Sequence, residues 1–216
     1  MDSEIASRLV ETARLLHGKD IAWCVCAGTA GSFYGVKRRI TDLDILVHPK
    51  DEQKVIELLK SRGLNSRVNE QLAKYNNNSL GTLKSRIIPV SFQGTPVEFI
   101  FGVTINNKWN FAADREMYSK TRAFQVNGET IPVSSPEDVI VLKGILQRGK
   151  ALGKYDIRDT LQIMKNTGLD LDYLRRRASK CYAGARVMPL ITRMLKKTRA
   201  DSKPKKPKRK KSRRFR

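Results

Sequence analysis

Residues 42–47 read Asp42-Leu43-Asp44-Ile45-Leu46-Val47, an alternation of acidic and apolar side chains that is typical of a β-strand. Successive side chains point to opposite faces of a strand, so the carboxylates of Asp42 and Asp44 are expected on the same face. Two carboxylates side by side repel each other and destabilise a half-buried strand. A divalent cation removes that repulsion, and Mg²⁺ prefers such oxygen ligands. We therefore predict that this pair binds Mg²⁺ or Mn²⁺.

A third acid, Glu98, interrupts the apolar strand Pro96-Val97-Glu98-Phe99-Ile100-Phe101. If this strand is a neighbour of the 42–47 strand, Glu98 completes a cluster with Asp42 and Asp44. The alternative is that Glu98 faces solvent on an edge strand. We predict that the three acids are both metal ligands and catalytic residues.

A small-residue turn, Gly28-Thr29, lies just before the carboxylate strand. Glycine lets a phosphate approach the backbone closely, and a following helix N-terminus would offer free N–H groups. The segment matches neither the P-loop pattern nor the dinucleotide-binding pattern. Next to metal-binding acids, it predicts a nucleoside triphosphate site. There a hydroxyl would attack the α-phosphate and pyrophosphate would leave.

A lysine interrupts the apolar helix that Ser135-Pro136 is expected to start. Lys143 is expensive to bury there without an anion nearby, and its partner could be a phosphate or Asp156. The alternative is that its amine extends to water. Asp156 and Asp159 are three residues apart and share a helix face, so both could contribute to the site. The alternative is that one caps the helix and the other is an ordinary surface acid.

The remaining pattern predicts an α+β fold, a mixed sheet flanked by helices. Residues 1–133 form the core, 134–197 a helical C-terminal part and 198–216 a disordered basic tail. Asn127-Gly128 predicts a tight hairpin. The predicted helices cover 3–17, 51–59 (capped by Asp51), 139–147, 157–164, a stretch from 170 and 189–197. The predicted strands cover 21–27, 42–47, 87–92, 97–101, 121–126 and 130–133, with a loop over 74–85.

Charge is the main global feature, because 43 Lys and Arg against 21 Asp and Glu give a net charge of +22. Residues 196–216 contribute +12 and residues 1–195 contribute +10. A polyanion is the expected partner, nucleic acid (RNA in particular) first and an acidic membrane surface second. The alternative is a solvated tail that aids solubility or acts as a sorting signal. The predicted nucleic-acid-binding residues are Lys205, Lys206, Lys208, Arg209, Lys210, Lys211, Arg213 and Arg214.

Other classes of protein fit the sequence poorly. No apolar stretch approaches the roughly 20 residues that span a bilayer, and the N-terminus lacks a signal-peptide pattern, so we expect a cytoplasmic protein without membrane insertion. Cys24 and Cys26 lie in an apolar run and are expected to be core thiols. The two histidines are isolated, which argues against zinc.

Together, Gly28-Thr29, the basic loop with Arg39 and Thr41-Asp42-Leu43-Asp44-Ile45 resemble the signature of the polymerase-β-type nucleotidyltransferase superfamily. Glu98 would match its third acid. Two departures are that Thr29 replaces the usual Gly or Ser, and that the third acid is Glu rather than Asp. The resemblance implies a nucleotidyltransferase-like fold and Mg²⁺-dependent chemistry.

A second block, Ser135 to Lys143 followed by Lys154 to Asp159, is similar to minimal nucleotidyltransferases of the AbiEii and MenT toxin type. The resemblance to that group implies that Lys143 binds the triphosphate and that Asp156 supports the site. Gly28, Thr29 and Arg39 are the other predicted nucleotide-binding residues. The implied function is transfer of a nucleoside monophosphate to a hydroxyl of RNA, such as a tRNA end, or of protein, with a toxin role and an antitoxin partner. A catalytically silent nucleotide- or RNA-binding module is the alternative. The antibiotic-modifying branch fits least, because a basic protein repels a cationic drug.

Overall fold

A mixed sheet of eight strands organises the part of the chain that the computed structural model describes, residues 1–72, 83–105, 109–181 and 184–201. The strand order is β3-β4-β5-β2-β1-β8-β7, with β6 paired to β5. β2 runs parallel to β5 and β1 parallel to β8, and the other pairs are antiparallel. The strands are β1 (Trp23–Val25), β2 (Leu43–Val47), β3 (Asn69–Leu72), β4 (Leu83–Phe92), β5 (Thr95–Ile105), β6 (Trp109–Asn110), β7 (Arg122–Val126) and β8 (Glu129–Val133).

Helices flank this sheet, which confirms the predicted fold class. Their boundaries follow ordinary capping: the Asp2 side chain accepts from Ile5 N–H at the start of α1, and Ser135 Oγ accepts from Asp138 N–H at the start of α5. The helices are α1 (Ser3–Leu16), α2 (Ala27–Phe33), α3 (Glu52–Ser61), α4 (Arg115–Ser119), α5 (Pro136–Leu146), α6 (Asp156–Asn166), α7 (Leu171–Lys180) and α8 (Gly184–Asp201).

Two tight turns set the register of the antiparallel hairpins. Gln93-Gly94 joins β4 to β5 and Asn127-Gly128 joins β7 to β8, and all four residues have positive φ. This conformation matches the right-handed twist of the flanking strands, so it favours two-residue loops. The predicted hairpin at Asn127-Gly128 is therefore present, and β4 and β5 are both longer than the predicted strands 87–92 and 97–101.

Several predicted boundaries differ from the structure. The first strand is limited to Trp23–Val25, because the chain turns into α2 directly afterwards. Asp51 does not cap α3 with its side chain, since its Oδ2 accepts from Ala22 N–H instead (2.9 Å). Residues 83–85 belong to β4 rather than to a loop, and 74–82 lie outside the described residues.

The C-terminal helix begins earlier and ends later than the sequence indicated. α8 starts at Gly184, accommodates Pro189 inside the helix and runs through Asp201, past residue 197 where we placed the end of the helical part. The predicted nucleic-acid-binding residues of the tail, 205–214, lie outside the described residues. Cys24, Cys26 and Cys181 are free and buried, as expected of core thiols. None of the described helices is long and apolar enough to cross a membrane.

Helix α5 lies at the centre of the helical part, and all of its residues are buried. It packs against α2, α6, α7 and α8. A buried ion pair joins it to α7, because Arg177 Nε lies 2.6 Å from Asp138 Oδ1. Tyr173 OH donates to the other oxygen of Asp138 (2.8 Å), and Arg177 Nη1 reaches Asp114 Oδ2 (2.6 Å). This network fixes α7 against α5, the helix that also packs against α6.

The first prediction concerns this network. Arg177→Met should lower the free energy of unfolding by about 3–5 kcal/mol, because it leaves the buried Asp138 carboxylate without its cation. Urea unfolding followed by circular dichroism measures the change. The matched control is Arg175→Met, whose exposed pair with Asp172 should contribute little. Adding Asp138→Asn to Arg177→Met should recover part of the loss. Equal stabilities for the two single variants would contradict this account.

Candidate functional site

The three predicted acids lie at the parallel pairing of β2 and β5. The strand register places Asp44 directly opposite Glu98, and Asp42 precedes β2 by one residue. All three line one cavity of about 310 Å³. β5 lies between β4 and β2 in the sheet, so Glu98 is not on an edge strand.

The carboxylates repel each other in this position. Burial raises the pKa of Asp44 to about 6, and the charges of Asp42 and Glu98 add to the increase. The pKa of Glu98 is also raised, by burial and then by Asp42. The Lys154 ammonium lowers both pKa values. The nearby Lys154 ammonium therefore does not fully balance the negative charge of the three carboxylates. This remaining negative charge favours the binding of a cation.

A divalent cation fits this centre on chemical grounds. Among the described residues, no three His, Cys, Asp or Glu side chains converge into a ready-made metal cluster. Mg²⁺ does not require one, because it commonly binds through one or two carboxylates and completes its shell with water and substrate phosphates. Asp44 and Glu98, opposite each other on adjacent strands, can supply those carboxylates, and Asp42 lines the same cavity.

The turn from β1 into α2 brings backbone to the carboxylates. Ala27 has φ +48°, a left-handed conformation that a non-glycine residue adopts only at a cost. It directs the Gly28 N–H at Asp44 Oδ2 (3.3 Å). The Arg38 guanidinium lies directly over Gly28, so a Cβ at position 28 would require this side chain to move. Thr29 is buried, and its hydroxyl donates to the backbone oxygen of Asp42 (3.0 Å), so it holds the strand rather than lining the cavity.

A cluster of basic side chains, which we call the basic wall, lines the same cavity. Lys143 Nζ is buried, 2.8 Å from Asp159 Oδ2 and 3.4 Å from Asp156 Oδ1, so its amine does not extend to water. Arg148 Nε lies 2.9 Å from Asp156 Oδ2, and Arg38 Nε lies 3.3 Å from Asp159 Oδ2. Two buried acids thus hold three cations, so the basic wall carries a net positive charge in the cavity that the three carboxylates also line.

Lys154 adds a fourth cation to this wall. It lines the cavity and influences both Asp44 and Glu98, yet within the described ranges its ammonium has no ion pair. It is available to a phosphate without breaking an existing contact. The arginine that we predicted for nucleotide binding, Arg39, is exposed and does not line the cavity, whereas its neighbour Arg38 does.

Sequence reasoning did not find Arg38, Arg148 or Lys154. All three lie in irregular segments, where no periodicity tells which side chains turn inward. The only signal for Arg38 was its place in the basic loop 37–39, and Lys154 precedes the predicted Asp156 by two residues. Asp159 had been noted only for sharing a face with Asp156.

A protein-family model matches most of the chain. Residues 6–197 match the family described as "Nucleotidyl transferase of unknown function (DUF2204)". The chain belongs to this nucleotidyltransferase family. No curated protein sequence matches this nucleotidyltransferase.

Solved structures share its fold at low sequence identity. The antibiotic-resistance factor ANT(2″)-Ia has a TM-score of 0.53 and 14% identity, with 86% of this chain and 96% of that chain covered. An antigenic nucleotidyltransferase-like protein from Paracoccidioides brasiliensis has a TM-score of 0.50 and 19% identity, with 90% of this chain and 93% of that chain covered. A candidate nucleotidyltransferase from Thermotoga maritima has a TM-score of 0.50 and 16% identity, with 70% of this chain and 92% of that chain covered. At these identities, the likeness shows the fold of the nucleotidyltransferase and not its substrate.

The second prediction tests the carboxylate centre. Without divalent cations, Asp44→Asn should raise the melting temperature by a few degrees, roughly the shift that 1–2 kcal/mol gives in a chain of this size, because it removes one of three repelling charges. Mg²⁺ or Mn²⁺ should raise the melting temperature of the unaltered protein and leave that of Asp44→Asn unchanged. Differential scanning calorimetry with chelator and with each ion measures both effects.

The matched control is Asp172→Asn, an exposed acid on α7 that should leave the response to Mn²⁺ intact. A melting temperature that rises equally in Asp44→Asn and in the unaltered protein would contradict a cation site at Asp44.

Proposed function

We propose that this protein transfers a nucleoside monophosphate from a nucleoside triphosphate to a hydroxyl group of RNA, such as the end of a tRNA. The observation that supports this reaction most strongly is that two groups of side chains with opposite charge line the same cavity. Asp42, Asp44 and Glu98 form the acidic group, and the basic wall forms the other. A triphosphate bound with a divalent cation has the complementary distribution of charge.

The basic wall binds the triphosphate in this proposal. Lys154 contacts phosphate oxygens first, because it has no ion pair to give up among the described residues. Arg38 lies over Gly28 and contributes a planar donor that suits phosphate. Lys143 and Arg148 are already paired with Asp156 and Asp159, so they hold α6 in place and leave the net positive charge of the basic wall to Arg38 and Lys154.

Asp44 and Glu98, with Asp42, would hold the divalent cation. When bound, it neutralises phosphate charge and polarises the α-phosphate. The acceptor hydroxyl attacks the α-phosphorus, the bond to the bridging oxygen of the β-phosphate breaks, and pyrophosphate leaves. Glu98 accepts the hydroxyl proton in this scheme. Asp44 is already held by the Gly28 N–H, which leaves a Glu98 oxygen that does not bind the cation as the proton acceptor.

The charge of the protein supports RNA as the acceptor. A net charge of +22, of which residues 1–195 carry +10, attracts a polyanion to the body as well as to the tail. The same charge repels a cationic antibiotic, so we do not extend the substrate of the resistance factor to this chain. The likeness to AbiEii and MenT toxins extends the proposal to RNA modification that an antitoxin partner would restrain.

The third prediction is the reaction itself. Incubation with Mn²⁺ or Mg²⁺, each α-labelled nucleoside triphosphate in turn and total RNA should place label in RNA with one or more triphosphates. Asp44→Asn and Glu98→Gln should each reduce the rate by at least about 100-fold, because each removes a ligand or the base. Asp172→Asn should retain the rate. Tight RNA binding with no label from any triphosphate would instead establish a silent binding module.

The fourth prediction concerns residues 202–216, which contain ten of the basic residues. Deleting them should weaken RNA binding and flatten its dependence on salt concentration, because fewer counterions are released from the RNA. Triphosphate binding should remain. Fluorescence anisotropy with a labelled RNA at several salt concentrations gives the slope. A slope equal to that of the full chain would show that the tail does not contact RNA.

A further inference from the structure

An apolar and basic surface adjoins the mouth of the candidate site. In the described residues, five large hydrophobic side chains are exposed, and three of them lie within residues 150–158. They are Leu152, Tyr155 and Ile157, with exposed fractions of 39%, 39% and 40%. Scattered exposed apolar residues are ordinary, but a group next to a polar cavity indicates an interaction site.

Tyr155 occupies the position closest to the chemistry. It lines the cavity and is also exposed, so its ring lies at the mouth. The Arg158 guanidinium carbon is 5.9 Å from the centre of the ring. An aromatic ring with an adjacent guanidinium is the arrangement on which unpaired nucleobases stack.

The outward face of residues 150–158 carries only positive charge. Lys150 and Arg158 are exposed and Lys154 is partly exposed. The one acid, Asp156, is buried and paired with Lys143 and Arg148. Lys150 and Arg158 do not line the cavity, so they are placed for phosphates that lie outside it. A nucleoside triphosphate has no phosphates there, whereas an RNA strand does.

We propose that residues 150–158 bind the single-stranded end of the acceptor RNA, with Tyr155 stacking on its terminal unpaired base. The inference deepens the proposed function, on which it rests for the acceptor. The stacked base would hold the terminal ribose at the mouth of the cavity, facing Glu98 and Asp44. Lys150 and Arg158 would contact the phosphates that follow.

The experiment uses the full chain and an RNA oligonucleotide with 2-aminopurine, a fluorescent adenine analogue, at its 3′ end. At saturating protein, stacking on Tyr155 should quench the 2-aminopurine emission. Tyr155→Phe should keep the quenching, and Tyr155→Ala should lose at least half of it. A probe with 2-aminopurine in the middle of a blunt duplex should not be quenched. Saturation removes the influence of the basic tail, because every probe molecule is bound.

Charge is tested by a matched pair of variants. Arg158→Ala should raise the dissociation constant for the same probe about 3- to 10-fold through loss of a phosphate contact and the adjacent guanidinium. Arg175→Ala, which removes an exposed arginine of α7 outside the cavity lining, should change it less than twofold. Equal effects of the two variants would count against a strand path along residues 150–158.

Two results would overturn the proposal. One is equal quenching by Tyr155→Ala and the unaltered protein. The other concerns a second probe, 2-aminopurine riboside triphosphate. If Tyr155→Ala loses the quenching of this triphosphate and keeps the quenching of the RNA probe, the ring stacks on the incoming nucleotide instead. These readouts need no turnover. If the quenching behaves as expected while no triphosphate labels RNA, the proposed reaction fails and the binding surface stands.

Discussion

The parallel pairing of β2 with β5 is the constraint on which the candidate site depends. It sets Asp44 opposite Glu98, although the two residues are 54 positions apart in the chain. Side chains alternate along a strand, so a slip of one residue would send Glu98 to the opposite face of the sheet. The apolar neighbours on both strands oppose such a slip, because it would remove their side chains from the core. These neighbours are Leu43, Ile45, Val97 and Phe99, all fully buried.

The basic wall depends on a second constraint, the burial of Lys143 in a helix with no exposed face. A buried ammonium requires a carboxylate, and Asp159 and Asp156 supply two. The same two carboxylates bind Arg148 and Arg38, so the requirement of one lysine orders a group of cations around the cavity. The Asp138–Arg177 pair on the other side of α5 holds α7 in the same way. Charge in the helical part thus serves both packing and the electrostatic field of the site.

The local features were readable from the sequence, and the long-range ones were not. Alternation predicted that Asp42 and Asp44 share a face, and Asn127-Gly128 predicted a hairpin, because both depend on neighbouring residues only. The adjacency of β2 and β5 had to be assumed, since no local pattern encodes which strands pair. The apolar surroundings of Lys143 predicted an anionic partner, but Asp159, the closer of its two carboxylates, was recognised only in the structure. Between Arg38 and Arg39, loop residues without periodicity, the sequence offered no basis for a choice.

The central claim is that the carboxylates of β2 and β5 hold a divalent cation together with a triphosphate. Crystals grown with Mn²⁺ and a non-hydrolysable nucleoside triphosphate test it directly through the anomalous scattering of manganese. The account predicts a manganese peak within about 2.0–2.4 Å of carboxylate oxygens of Asp44 and Glu98, with phosphate oxygens completing the shell, and its absence in Asp44→Asn crystals. A triphosphate bound elsewhere, or bound in the cavity with no manganese between the two strands, would contradict it.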